Sequence, residues 1–330
     1  MSDYYGLYGQ KVQYLASDPT DVQVGQVWYN STSAILKVRA VGTVNAFAAG
    51  GNVNSGRYYG AAAGTQTSTL LFGGDPGKVT TTESYNGTSW SPVSSLNTGR
   101  SGLAGAGTQT AALALGGEAP GGNTTATELY NGTSWTTSPA TMNTARRVLA
   151  SANAGPQTAT LAFGGYSTAD TAATESYNGS SWTSVNSMNT ARRELGGFGI
   201  QTASLVFGGE SPGNSFPTAT ESWNGTSWTT VNSFNTGRMA NTGAGLQSGG
   251  LQFGGRIAPS YAMTAATELW NGTSWATNPN SLATAKMTTG SGTQTLALAS
   301  SGAAAPGTTP TTGTEEWSGV VAQTKTVTVS

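Results

Sequence analysis

The chain has 330 residues, of which only 9% are charged, against roughly 25% in an ordinary globular protein. Its net charge of −1 excludes a strongly basic surface for nucleic acid or for an anionic membrane. Because cysteine and histidine are both absent, disulfides, zinc–thiolate sites and serine–histidine catalysis are excluded as well. No window approaches the ~20 apolar residues of a membrane-spanning helix, and no basic leader precedes an apolar stretch, so we expect neither membrane insertion nor a signal peptide.

Residues 1–42 differ in kind from the rest of the chain. The run QKVQYLASDPTDVQVGQVWYNSTSAILKVRAV alternates strand signals with an Asp-Pro turn and an Asn-Ser-Thr turn. This pattern predicts a small β-meander. The C-terminal residues 320–330 alternate like a strand, and we expect them to pair with the meander.

A repeat fills residues 43–319, with successive units 45 to 47 residues apart. Each unit contains a basic residue, a run of small residues, a Gly-x-Gln turn, an apolar segment ending in Gly-Gly or its relic, a variable loop and a Thr-Glu pair. An aromatic-Asn-Gly-x-Ser-Trp box then closes every unit but the sixth. The repeated basic residues are Arg57, Arg100, Arg146, Arg192, Arg238 and Lys286. The repeated acidic residues are Glu83, Glu128, Glu175, Glu221, Glu268 and Glu315.

Four short strands fit each unit, because apolar alternation is interrupted by turn signals and no helical stripe appears. The Asn-Gly dipeptide predicts a tight type I′ hairpin. Four-stranded units repeated six times predict an all-β, six-bladed β-propeller. Phe47 lies ten residues before Arg57, as Trp90 lies ten before Arg100, so we expect residues 43–53 to supply the outer strand that the sixth unit lacks and to close the ring.

The charges locked to the repeat favour a structural role. We expect each basic residue to approach a Glu across a blade boundary and form a buried ion pair. The alternative is a cationic ring that binds an anionic ligand. The Gln of each Gly-x-Gln turn is interpreted as closing a short hairpin rather than as part of a binding ring.

The variable loops between Gly-Gly and Thr-Glu are the better candidates for recognition, because a rigid scaffold with divergent loops is a common way to bind ligands. We expect them all on one face. Aromatic rings beside carboxylates suit sugars, although solvated turns carry the same residue types. The candidate ligand-binding residues are Asp75, Glu118, Tyr166, Asp170, Glu210, Phe216, Arg256 and Tyr261. Lys78 is a further distinctive loop residue.

The order of the repeat elements resembles the kelch repeat family over most of the chain. The resemblance implies a propeller, but not the copper site of kelch-type oxidases, since that site needs histidine. We therefore expect no cofactor and no metal. The phrase DPTDVQVGQVWYNSTSAILKV is similar to short modules in tail and fibre proteins of bacteriophages, particularly marine ones.

Together these features predict a non-catalytic virion structural or fibre protein, made in the host cytoplasm and placed on the particle surface or a tail appendage. Residues 1–42 would contact other virion proteins, and the loops would meet a host glycan or protein; a homo-oligomer would fit such an appendage. One alternative is a virion glycoside hydrolase or depolymerase using Glu118, Asp170 and Glu210, since such enzymes need a pair of carboxylates. The other is a purely decorative protein.

Overall fold

The computed structural model describes residues 4–5, 11–20, 26–42, 45–304, 309–319 and 321–326. The regular secondary structure in these ranges consists of β-strands. The described residues contain no helix long and apolar enough to span a membrane. The chain divides into two compact units, Ala46–Trp317 and a terminal unit of Met1–Asn45 with Ser318–Ser330. The larger unit consists of small antiparallel sheets, mostly of four strands, which is compatible with a β-propeller.

We number the sheets that follow the sequence repeat from sheet 1 to sheet 6. Sheet 1 consists of Ala61–Thr65, Ser68–Phe72, Thr82–Tyr85 and Trp90–Val93. Sheet 2 consists of Ala104–Thr108, Ala111–Leu115, Thr127–Tyr130 and Trp135–Thr137. Sheet 3 consists of Ala150–Ser151, Thr160–Phe163, Thr174–Tyr177 and Trp182–Val185. Sheet 4 consists of Gly196–Ile200, Ala203–Phe207, Thr220–Trp223 and Trp228–Val231. Sheet 5 consists of Thr242–Leu246, Gly249–Phe253, Thr267–Trp270 and Trp275–Asn278. Sheet 6 contains Lys286–Gly292, Leu296–Ala304, Thr314–Ser318 and Ala46–Ala49, with Thr309–Pro310 beside its second strand. Short accessory strands are Glu118–Ala119, Gly122–Asn123, Arg238–Met239, Arg256–Ile257 and Ala262–Met263.

The second strand of each sheet is almost wholly buried, and in sheets 1 to 4 apolar residues occupy most of both its faces. In sheet 1, Leu70, Leu71 and Phe72 are all wholly inaccessible to solvent. The Gly-Gly pair that follows is needed for the close approach of the next repeat. Gly73 has a φ of +65°, and a Cβ built on it would lie 2.8 Å from the Arg100 carbonyl oxygen.

The Asn-Gly boxes form longer loops than the sequence predicted. Residues 86–89 connect the third and fourth strands of sheet 1, and Gly87 has a positive φ of +92° whereas Asn86 does not. A two-residue type I′ turn is therefore wrong here, since it needs positive φ at both central residues. The Asn86 Oδ1 accepts the backbone N–H groups of Thr88 and Ser89 at 3.0 and 2.9 Å, which stabilises a four-residue loop instead.

Aromatic side chains connect each sheet to the one before it. The indole of Trp135 donates to the Thr82 hydroxyl of sheet 1 and packs edge-on against Phe72, with ring centroids 4.9 Å apart. In sheet 6, Phe47 takes the place of the Trp and packs on Phe253 of sheet 5, with centroids 5.3 Å apart. Apolar burial between sheets therefore recurs with the period of the sequence.

Glutamine side chains form a second set of connections between sheets. The Gln157 amide of sheet 3 donates to the carbonyl oxygens of Ala112 and Tyr130 in sheet 2, at 2.6 and 2.8 Å. Gln66 of sheet 1 does the same to Ala297 of sheet 6, at 3.1 Å. The interpretation that each Gln only closes its own hairpin is wrong, because its amide bonds the preceding sheet.

The terminal unit contains the strands Tyr4–Tyr5, Lys11–Leu15, Val27–Asn30, Ile35–Gly42 and Val321–Thr326, paired in that order. The strands Lys11–Leu15 and Val27–Asn30 run parallel, so the predicted β-meander is wrong at this step. The connection between them is close to the dozen residues that a parallel crossover requires. The Asp18 carboxylate stabilises the crossover by accepting hydrogen bonds from Asn30 and from the indole of Trp28, at 2.8 and 3.0 Å.

Candidate functional site

The repeat-locked charges form buried ion pairs inside single repeats. Arg100 Nη2 lies 2.9 Å from Glu128 Oε1, and both side chains are almost wholly buried. Arg100 also donates to the carbonyl of Ala126 at 2.7 Å, and the Asn97 backbone N–H donates to Glu128. The expected pairing across a blade boundary is wrong, because each Arg precedes the sheet that carries its own Glu. Equivalent pairs are Arg57–Glu83, Arg146–Glu175, Arg192–Glu221, Arg238–Glu268 and Lys286–Glu315.

Burial lowers the pKa of each of these basic groups, and the adjacent carboxylate opposes the shift. The pKa of Arg146 is lowered to about 10 by loss of hydration, against the attraction of Glu175. The repeated basic residues are buried and paired with the repeated Glu residues, so their charges are not exposed to a ligand.

The residues that break the repeat form a second charge network, in which the cations and Glu118 are partly exposed and Asp170 and Glu210 are nearly buried. Glu118 lies between two cations: its Oε1 is 2.9 Å from Lys78 Nζ, and its Oε2 accepts from Arg147 Nη1. Arg193 binds two carboxylates, with Nη1 2.8 Å from Asp170 Oδ1 and Nη2 2.8 Å from Glu210 Oε1. All of these pairs except Arg193–Glu210 connect different repeats, unlike the scaffold pairs.

Tyr166 lies between the two halves of this network. The guanidinium carbons of Arg147 and Arg193 are 5.3 and 5.6 Å from its ring centroid, which is cation–π distance. The backbone of Tyr166 bonds that of Arg147 in both directions, at 2.9 and 3.0 Å. Asn123 donates to the Tyr166 carbonyl at 3.1 Å, so repeat 2 also fixes this loop.

The network borders a cavity of about 440 Å³, which we call the loop-face cavity. Its lining residues are Tyr59, Asp75, Ser101, Gly102, Glu118, Arg147, Val148, Tyr166, Arg193 and Glu194. A chain of backbone hydrogen bonds positions one edge: the N–H of Gly102 donates to Tyr59, that of Val148 to Gly102, and that of Glu194 to Val148, at 2.7 to 2.9 Å.

Tyr59 and Glu194 form a hydrogen-bonded pair in the lining. Burial raises the pKa of Glu194 against the lowering effect of a hydrogen bond with Tyr59, and its Oε2 is buried without a hydrogen-bond partner. Burial and the neighbouring Glu194 raise the pKa of the Tyr59 hydroxyl in turn. Arg256 is close enough to stabilise the charged form of Glu194.

Of the residues that the sequence proposed, Glu118, Tyr166, Asp170 and Glu210 belong to the charge network. Asp75 lines the cavity, where its Oδ1 accepts the Lys78 backbone N–H at 3.1 Å. Arg256 contributes its charge near Glu194. Phe216 and Tyr261 instead pack on each other, edge to face with centroids 5.1 Å apart, and neither lines the cavity.

Arg147, Arg193, Tyr59 and Glu194 were missed by the sequence reasoning. The signal was present: repeats 3 and 4 read Arg-Arg, while the other repeats place Tyr58, Ser101, Met239 and Met287 after the repeated basic residue.

The arrangement suits hydrogen bonding more than acid–base catalysis. Hydrogen bonds and charges from Lys78 and Arg147 lower the pKa of Glu118, whereas a glycosidase acid needs a raised value. Asp170 and Glu210 share the guanidinium of Arg193, so each carboxylate already has a counter-ion. Within the described ranges, no group of three His, Cys, Asp or Glu side chains could hold a metal ion.

No protein-family model matches the chain, and a search of curated proteins found no match either.

Proposed function

We propose that residues 43–319 form a kelch-like, six-bladed β-propeller, and that this propeller is a non-catalytic recognition module whose loop-face cavity binds a component of a host surface. The observation that carries the recognition proposal is the contrast between two sets of charges. The buried pairs repeat in every unit, whereas the charges around the cavity occur only in some repeats, and the Arg147–Glu118 pair among them remains partly exposed.

Contacts between the first and last repeats support a closed ring. The first strands of sheets 1 and 6 adjoin, as those of consecutive sheets do. The Trp90 indole of sheet 1 donates to the Thr314 hydroxyl of sheet 6 at 3.0 Å. The Trp135 indole of sheet 2 makes the equivalent hydrogen bond to the Thr82 hydroxyl of sheet 1. A small cavity of about 140 Å³ is lined by residues from all six first strands, as an axial channel would be; they include Ala61, Ala104, Ala150, Gly196, Thr242 and Gly290.

The placement on a virion is supported by the phage-like phrase within residues 18–38. In this proposal the terminal unit attaches the chain to other virion proteins, and the propeller loops face the host. The strand Val321–Thr326 pairs with Ile35–Gly42, so the N-terminal and C-terminal parts of the chain both contribute strands to the attachment unit.

The test is retention of the purified chain on a panel of bacterial cells and on an array of their surface polysaccharides and outer-membrane proteins. We expect retention, and we expect Arg147→Ser to abolish most of it, because Ser101 occupies that position in repeat 2. Phe216→Ala is the matched control, since this loop residue lies outside the cavity. Absence of retention would favour a decorative protein. Release of reducing ends that is lost in Glu118→Gln or Glu210→Gln would favour a glycosidase.

A further inference from the structure

The charges that border the loop-face cavity are already neutralised within the protein. Arg193 is held by two carboxylates, and Glu118 is held by two cations. An anionic ligand would have to displace one of these carboxylates, and a cationic ligand would have to displace Lys78 or Arg147. The side chains of Asp170 and Glu210 are only 4% exposed, so leaving either without its cation is costly and the network disfavours an anionic occupant. Exchanging one partly exposed cation for another on Glu118 gains little.

The groups with spare capacity suit hydroxyls. Arg147 has 39% of its side chain exposed. Of its three guanidinium nitrogens, which carry five N–H donors, only Nη1 is engaged in the described ion pair. Asp75 Oδ1 accepts a single backbone N–H, and the described residues place no cation on its carboxylate. A donor and an acceptor that line the same cavity match sugar hydroxyls, which both accept and donate.

The Tyr59–Glu194 pair in the lining gives the same indication. Glu194 and Tyr59 hydrogen-bond to each other, and burial favours the neutral form of both groups. Glu194 Oε2 is nevertheless buried without a partner, which is unusual for a carboxyl group. The cavity volume of about 440 Å³ lies in the range of small-molecule sites.

We propose that the loop-face cavity binds a neutral mono- or disaccharide, with Arg147 donating to one sugar hydroxyl, Asp75 accepting from another, and the Tyr59–Glu194 pair facing the sugar. This inference rests on the proposed function and names its ligand class.

The experiment titrates the whole chain with lactose, cellobiose, maltose and chitobiose, and with the acidic probes sialyllactose and cellobiouronic acid, by calorimetry and saturation-transfer NMR. We expect at least one neutral sugar to bind about tenfold more tightly than either acidic probe. Its affinity should change less than about twofold between about 50 and about 500 mM salt, because no net charge is neutralised on binding.

Two variants test the assignment of groups. Asp75→Asn and Arg147→Ser should each weaken the neutral sugar about tenfold, and Phe216→Ala should leave its affinity unchanged. Circular dichroism spectra should match the unsubstituted chain, because both side chains are partly exposed. Preference for an acidic probe, or binding that survives both substitutions, would overturn the inference.

The outcome separates this inference from the proposed function. If the chain is retained on cells through Arg147 but binds none of the sugars, the ligand class is wrong and the recognition function stands. If the chain is not retained on any cell or array, the proposed function itself fails.

Discussion

Asn241 tests how the interfaces between neighbouring sheets are stabilised; we call each such interface a seam. Its side chain is 6% exposed, and neither its Nδ2 nor its Oδ1 has a hydrogen-bond partner. Repeats 2, 3 and 4 place Leu103, Leu149 and Leu195 at this position. The leucine packs beneath the Gly-Gly pair of the preceding repeat, where a Cβ built on Gly164 would lie 2.7 Å from Leu195 Cδ1.

Asn241→Leu should therefore stabilise the larger unit. Removing an unpartnered buried amide gains about 1–3 kcal/mol, and the Leu side chain adds apolar burial. For a unit of this size, the midpoint of thermal unfolding should rise by about 2–4 °C per kcal/mol. Differential scanning calorimetry and urea unfolding at one pH measure both quantities.

The reverse change provides the control for this prediction. Leu195→Asn places the same amide in the preceding seam and should lower the free energy of unfolding by more than about 2 kcal/mol. If Asn241→Leu leaves stability unchanged or lowers it, the amide must be satisfied by a buried water, and the reasoning from an unpartnered group is refuted.

Three further predictions concern charged groups. Arg100→Leu leaves Glu128 buried without its cation and should cost about 3–5 kcal/mol in urea unfolding; an effect below about 1 kcal/mol would contradict the role of the repeat-locked pairs. Because the pKa of Glu194 is raised, its contribution to stability is present below the ordinary Glu pKa and is lost as pH rises through the folded value. Glu194→Gln should accordingly flatten the dependence of the unfolding midpoint on pH between about 4 and about 8, and an unchanged slope would exclude this role. The pKa of Asp18 is lowered to about 2, chiefly by its hydrogen bond with Lys37, so its contribution to the terminal unit should be lost as pH falls from about 4 to about 2. Trp28 fluorescence should report this acid transition, which Asp18→Asn should abolish across the whole range.

The strand pattern could be predicted because it depends on local sequence. Alternation and turn residues located four strands in each repeat, and the ten-residue spacing located Phe47, whose strand Ala46–Ala49 lies beside Thr314–Ser318. The Asn-Gly loop was predicted wrongly because a side-chain bond from Asn86 competes with the tighter turn. Local propensity does not resolve that competition.

The candidate site was less accessible to sequence reasoning because its contacts join different repeats. Loop position alone identified Glu118 and Tyr166, since both break the repeat. It could not pair Glu118 with Arg147, which is 29 residues away and lies at the start of another repeat. Nor could it separate Phe216 from the cavity, because distance from the cavity depends on how each loop folds back on its own sheet.

Arg146 and Arg147 show why a repeated scaffold can carry a unique site. Arg146 is wholly buried and bonds Glu175 of its own repeat, so substituting it would disturb a contact on which the sheet depends. Arg147 follows it directly, is 39% exposed, and bonds Glu118 of the preceding repeat. Arg146 makes the buried ion pair on which the sheet depends. Exposed ion pairs such as that of Arg147 contribute only about 0–1 kcal/mol, so Arg147 can vary between repeats at little cost in stability. The cavity chemistry can therefore change from repeat to repeat while the sheets remain the same, and Arg147→Ser should change binding without changing the unfolding midpoint.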